Sequence, residues 1–193
     1  NLKNDVLAHE ASIKLANANF YKKDFDWTLQ QVKNLKQSSS LLIANDAVEL
    51  FLLIQDNSIE DSLRVALQAY AKADLQLYQK KNEEALQSFL TILEKHKGES
   101  IEDETLLKIA DIYYQKKDYL KALSYYQNIL DNHKEGIYID EALFFSAEIY
   151  RKHLLDNEKA KPLYEKMVLE HPDSLYYTES RKQYRTLRGD TTI

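Results

Sequence analysis

From Glu104 to Lys134, apolar and polar positions recur with a helical period. In LLKIADIYYQKK, Leu106, Ile109, Ala110 and Tyr113 fall at three- and four-residue steps, on one face of a helix. In DYLKALSYYQNIL, Tyr119, Ala122, Tyr126 and Ile129 form a second stripe. Lys116-Lys117 end the first helix and suit the negative end of its dipole. Small Ala110 and Ala122 let the two helices approach closely, and large neighbours fill the space around them. Ser100 with Asp103 reads as a variant capping box opening the unit.

This unit recurs. Ala73-Asp74, Ala110-Asp111 and Ala147-Glu148 stand 37 residues apart. Ala85 recurs as Ala122, then as Ala160 with one extra residue near Leu155. His96, His133 and His171 close the units. A fixed period of this size means stacked copies of one small unit, each unable to bury its own apolar face. A degenerate first copy opens the chain: LANANFYKKDFDWTLQQVKNL aligns without gaps on IADIYYQKKDYLKALSYYQNI, with Thr28 in place of the second-helix alanine. Helix pairs are predicted at 5–22/25–36, 61–80/83–96, 102–117/119–132 and 138–153/157–170.

Between the first two copies, Leu41 to Ile54 reads as a buried apolar helix capped by the Ser38-Ser39-Ser40 run. It feeds a long helix from about 61 to 81, and it is expected to bend the stack. Tyr78-Gln79-Lys80-Lys81 stands one residue out of step with Tyr114-Gln115-Lys116-Lys117, which leaves two registers open for that helix.

Composition supports an all-helical reading, because 3 Gly and 2 Pro in 193 residues cannot punctuate a β fold. With 44% hydrophobic and 30% charged residues the chain is neither disordered nor membranous. The Leu41–Ile54 stretch is interrupted by Asn45, Asp46 and Glu49 and is shorter than the roughly 20 residues of a membrane span. A net charge of −5 argues against a nucleic-acid partner. Cysteine is absent, which removes disulfides and thiolate chemistry and leaves cytosol and periplasm both open. The chain starts at Asn1 with no signal peptide, and reads as a mature form or a fragment.

Catalytic signatures do not emerge. There is no Gly-rich phosphate loop, nucleophile elbow or HExxH. His96, His133 and His171 sit at one position of successive units, and helices packed roughly 8–10 Å apart keep them from sharing an ion. Imidazolium near a helix C-terminus is a sufficient structural reason for them. His9 and His153 have no partner at ligand spacing, and Glu99, Glu102, Asp103 and Glu104 read as a solvated acidic helix start. No enzyme, cofactor or metal is expected.

The pattern resembles the tetratricopeptide repeat. Ala110, Tyr113, Ala122 and Tyr126 match its small and aromatic positions, with Lys134 replacing the closing proline. Ala147, Tyr150, Ala160, Tyr164 and Pro172 match in the next unit. Ala73, Ala85 and Phe89 match in the preceding one, where Gln76 replaces the aromatic. The resemblance implies a right-handed superhelical solenoid spanning 1–193 as a single domain. It comprises a degenerate repeat 5–37, a spacer helix 38–60, repeats 61–98, 102–135 and 138–173, and a capping helix 174–188. The cap carries Arg181, Lys182, Arg185 and Arg188 and is ended by Gly189.

The implied function is a non-catalytic interaction or scaffold module that holds a protein or peptide segment in a concave groove. Its candidate lining is Asn17, Tyr21, Tyr70, Asp74, Tyr78, Leu107, Asp111, Tyr114, Phe144, Glu148 and Arg151. Aromatics there are anchors, and the acids suit a basic partner. Chaperone-binding members grip a terminal carboxylate with Asn and Lys on this face. Asp74, Asp111 and Glu148 put negative charge there instead, which disfavours such a grip. The segment His171-Pro172-Asp173-Ser174 with Leu175-Tyr176-Tyr177 and Arg181-Lys182 also resembles repeat ends of bacterial envelope adapters, including outer-membrane assembly lipoproteins. That likeness favours periplasm or cell envelope over cytoplasm. An envelope-assembly adapter, and an oligomerisation or regulatory segment of a larger protein, are the alternative readings. No pattern sets an oligomeric state.

Overall fold

The computed structural model describes residues 2–38, 40–59, 63–134 and 136–190. Among them the elements are α1 (Leu2–Tyr21), α2 (Phe25–Leu35), α3 (Leu41–Asp56), α4 (Val65–Tyr78), α5 (Asn82–Lys95), α6 (Glu102–Gln115), α7 (Tyr119–Asn132), α8 (Ile139–Glu148), α9 (Asn157–Glu170) and α10 (Tyr177–Arg188). A π-helical turn, Ile149–His153, continues α8. The described residues contain no strand. The fold is all-α, built from tetratricopeptide-like helix pairs: α1/α2, α4/α5, α6/α7 and α8/α9. In each pair the first helix is called A and the second B. No helix among the described residues is long and apolar enough to cross a membrane.

The chain forms two compact units, residues 1–102 and 103–193. In the first, α1 packs on α2 and α4 on α5, while the spacer α3 packs on α2 and α1. The spacer leaves α1 and α4 in direct contact. Tyr21 donates its hydroxyl to Asp74 at 3.0 Å across that contact. Helix α4 starts at Val65, later than the expected 61, because Arg64 adopts a left-handed φ of 52°. Residues 60–62 lie outside the described residues.

One backbone device repeats in every A–B turn. Lys23, Lys80, Lys117 and Leu155 all have positive φ, between 54° and 66°. The N–H after each lysine reaches back five residues: Asp24 to Asn19, Lys81 to Gln76 and Asp118 to Tyr113, at 2.9–3.0 Å. This is a Schellman-type helix end. It also settles the register of α4: Lys80 is the counterpart of Lys117, so Leu77 matches Tyr114 and Tyr78 matches Gln115. The shared Tyr-Gln-Lys-Lys string is a coincidence of composition.

The extra residue of the last repeat is absorbed inside the helix. Leu154 N–H bonds the Ile149 carbonyl five residues back, and Asp156 N–H bonds Tyr150 six back, one more than in the other turns. A π turn is the usual fate of a single inserted residue in a helix. Helix B then restarts in register, with Asp118 and Asp156 as equivalent N-caps accepting from Lys121 and Lys159 N–H.

Each hairpin also fills one facing A/B position with a matched pair. Asn19 donates to Gln31 at 2.9 Å, and Ser88 to Gln76 at 2.8 Å. Tyr113 stacks on Tyr125 at 5.7 Å, and Tyr150 and Leu163 pack on the Ala147–Ala160–Tyr164 cluster. Gln76, which departs from the aromatic pattern, is therefore matched by a departure in its partner helix.

Two expected caps form differently. Glu102, not Ser100, closes the start of α6, accepting from Gly98 N–H at 2.7 Å. Asp103 accepts from Glu104 N–H at 2.9 Å. Ser40 occupies the N-cap of α3 without a side-chain capping bond. Ser38 instead takes the Ser40 N–H at 3.3 Å and contacts His9 Nδ1 at 2.8 Å. Ser39 lies outside the described residues.

Candidate functional site

The residues assigned to the groove divide by unit. In the first unit, Tyr70 is buried and packs edge-on against Phe89 at 5.4 Å. Asn17 is half-buried. Tyr21 and Tyr78 contact one another at 5.9 Å, and Tyr78 is 74% exposed.

In the second unit the acids face inward. Asp111 accepts the Tyr126 hydroxyl at 2.7 Å. At the equivalent place Glu148, only 4% exposed, accepts the Tyr164 hydroxyl, and it pairs with Arg151 at 3.1 Å and with Lys152. Arg151 Nε donates to the Tyr164 oxygen at 3.2 Å. The motif is a helix A acid bonded to a helix B tyrosine. In the preceding repeat the helix B residue is Phe89, which has no hydroxyl, and there Asp74 takes Tyr21 from the neighbouring pair. Loss of one donor is matched by gain of another, as burial of an acid requires.

The electrostatics follow from this geometry. Burial, reinforced by Asp111, pushes the Tyr126 hydroxyl well above the ordinary phenol range. Burial and then Glu148 do the same to Tyr164, and burial and then Asp74 to Tyr21. For Glu148, burial alone would raise the carboxyl, but hydrogen bonds from Lys152, Tyr164 and Arg151 outweigh it and hold the group below its usual range. The tyrosines therefore stay neutral donors and Glu148 stays ionised, which makes the bond between them charge-assisted.

Aromatic groups dominate the rest of that surface. Tyr114 meets Tyr119 at 5.8 Å, Phe145 at 5.9 Å and the His153 ring at 5.8 Å. His153 stacks on Tyr119 at 4.0 Å, nearly parallel. Phe145 continues to Phe144 at 5.5 Å, and Phe144 stacks on Tyr176 at 4.5 Å. Tyr114, Tyr119, Phe144, Phe145 and Tyr176 are all half-buried, so the array is anchored below and open above. Leu107, also assigned to this face, is buried.

Tyr119, Phe145, His153 and Tyr176 were not among the assigned residues. Phe145 matches Lys108 in the preceding repeat, so repeat alignment gave no signal for it. His153 reaches Tyr119 from within the π turn, and no regular helical register puts it there.

The three repeating histidines are helix ends. His96, His133 and His171 are the C-caps of α5, α7 and α9, with φ from −120° to −127°. Each carbonyl accepts from the N–H three residues on, in Glu99, Gly136 and Ser174. His96 Nδ1 contacts Glu99 at 3.0 Å, and His171 Nδ1 contacts Asp140 at 2.8 Å. Among the described residues no group of three or more His, Asp or Glu is arranged to hold a metal ion.

Comparison with known families matches residues 104–135 and 141–174 to the tetratricopeptide repeat. These are the α6/α7 and α8/α9 hairpins with their closing turns, so the chain carries tetratricopeptide repeats over those residues. No curated protein matches it.

Proposed function

We propose that this protein, which carries tetratricopeptide repeats, is a non-catalytic interaction module that holds a protein or peptide segment against the helix A faces of its repeats. Repeats of this family generally mediate protein–protein contacts and scaffolding. One observation carries the finer reading: the half-open aromatic array of Tyr114, Phe145, Phe144 and Tyr176, with Tyr119 and His153 at its end. Rings fixed from below and open above lose little side-chain entropy on binding, which makes them good anchors. Asp111 and Glu148 already bond within their repeats, so they act by holding the helix pair in shape and contribute little to a basic partner. The cationic groups Arg151 and Lys152 are likewise engaged within the repeat, both paired with Glu148. In the first unit Tyr21 and Tyr78 make a separate ring contact, one position further along their helices.

The test is site-specific photo-crosslinking in the native host. A photoreactive residue replaces Tyr114 or Phe144 in the full chain, and Gln127, exposed on helix B, serves as control. A shared crosslinked protein at 114 and 144 but not at 127 supports the reading. Tyr114→Ala should then weaken that partner's binding more than Asp111→Asn. Equal crosslinking at 127, or unchanged binding in both variants, refutes it.

A further inference from the structure

Helix α10 stands where a further helix A would stand, displaced by 38 residues from α8. In α6 the positions Thr105, Ile109 and Ile112 are buried, and in α8 the matching Ala142, Ser146 and Ile149 are buried. In α10 the same stripe is Ser180, Tyr184 and Leu187. Ser180 is fully buried, and Tyr184 and Leu187 pack on the Ala147–Ala160–Tyr164 cluster. So α10 docks as a helix A does.

The next stripe of each helix A packs on its own helix B. It reads Leu106, Ala110 and Tyr113 in α6, and Leu143, Ala147 and Tyr150 in α8. In α10 all three become arginine: Arg181, Arg185 and Arg188. A shallow groove runs along this face, lined by Tyr177, Arg181, Lys182 and Arg185, with Asp190 at its C-terminal end. Asp190 pairs with Arg188 at 2.9 Å and with Arg185 at 3.8 Å, and Glu179 reaches Lys182 at 4.0 Å. Among the described residues no carboxylate pairs with Arg181.

We propose that this arginine stripe is a second docking surface, which takes an acidic helical segment of a partner protein in the place a helix B would occupy. It shares no residue with the aromatic array, whose Tyr176 caps the start of the same helix. Guanidinium groups at i, i+4 and i+7 match carboxylates at the same spacing on a facing helix. The groove has the direction of a helix partner, because it follows the face that α6 and α8 use for theirs. An extended polyanion is a poorer fit, since the whole chain carries a net charge of −5 and repels it outside the stripe.

The probe is a fluorescein-labelled helical peptide with Glu at i, i+4 and i+7, titrated against the full chain by fluorescence anisotropy. The parent should bind it, and Arg181→Glu/Arg185→Glu should weaken binding by about tenfold or more, since like charges now face each other. Arg181→Gln/Lys182→Gln, a milder change, should weaken it less and in the same direction. Tyr114→Ala should bind as the parent does, which separates this surface from the aromatic array. Circular dichroism checks that each variant is folded. The proposal is overturned if the parent does not bind, if the charge-reversed chain binds equally, or if a proline-broken peptide of the same composition binds as well. Co-sedimentation with phosphatidylserine vesicles, without peptide binding, would assign the stripe to membranes and overturn it too.

Discussion

Tyr164→Phe removes one oxygen from the chain and tests the buried acid–tyrosine motif directly. Tyr164 is fully buried and Glu148 is 4% exposed, so water cannot readily replace the lost donor. The hydroxyl serves two bonds, one to Glu148 and one from Arg151 Nε at 3.2 Å. A hydrogen bond to a charged group is worth about 1.5–3 kcal/mol, and Arg151 and Lys152 still face the carboxylate in the variant. The expected cost is about 2 kcal/mol. Tyr126→Phe should cost less, about 1 kcal/mol, because Asp111 is half-exposed and can recruit water.

Urea denaturation followed by circular dichroism reads both, with the second unit's transition as the observable. Thermal midpoints should drop by about 2–4 °C per kcal/mol for a chain of this size. A pH series adds an independent check. Glu148 has a folded pKa below its unfolded value, so its contribution is present above the ordinary carboxylate range of about 4.3 and fades as pH falls through the lower folded value. Glu148→Gln should remove that part of the acid limb. If Tyr164→Phe lies within about 0.5 kcal/mol of the parent, the hydroxyl is not holding a buried charge and the motif is only shape-filling.

Three further changes probe the frame. Lys117→Gly relieves a left-handed residue at φ 61° and should stabilise by up to about 1 kcal/mol, while Lys117→Val should destabilise by about 1–2 kcal/mol; a denaturation midpoint that moves the other way contradicts the turn geometry. Ala122 is fully buried, so Ala122→Leu should cost about 1–3 kcal/mol by overpacking, and an unchanged urea midpoint would mean the helices do not cross closely there. Deleting His153 should restore the spacing of the other repeats with helix content preserved; a large loss of the circular dichroism signal at 222 nm would show that the π turn is needed for the hairpin.

The frame was legible because the repeat writes it several times. Ala110 and Ala122 predicted a close crossing, and both are fully buried. The hairpin boundaries fell within a few residues of those expected, except where Arg64 turns left-handed before α4. That turn has no sequence mark, since arginine carries no preference for positive φ. The register of α4 also escaped a sequence reading. Two alignments of Tyr-Gln-Lys-Lys were equally plausible by composition, and only the backbone conformation at Lys80 chooses between them.

The candidate surface was less legible, for a physical reason. Alignment places a residue on a face but does not say what the neighbouring helix offers it. Asp111 and Glu148 were assigned to the groove as charges for a partner, yet Tyr126 and Tyr164 on helix B reach the same acids from inside the hairpin. The clue lay in the paired pattern: an acid on helix A goes with a tyrosine on helix B in two repeats, and where helix B has Phe89, the donor comes from Tyr21. Polar positions in a stacked fold are thus best read in pairs across the hairpin. A polar residue whose facing partner can bond it belongs to the frame. One with no such partner among the described residues, such as Arg181, is left for the interaction proposed above.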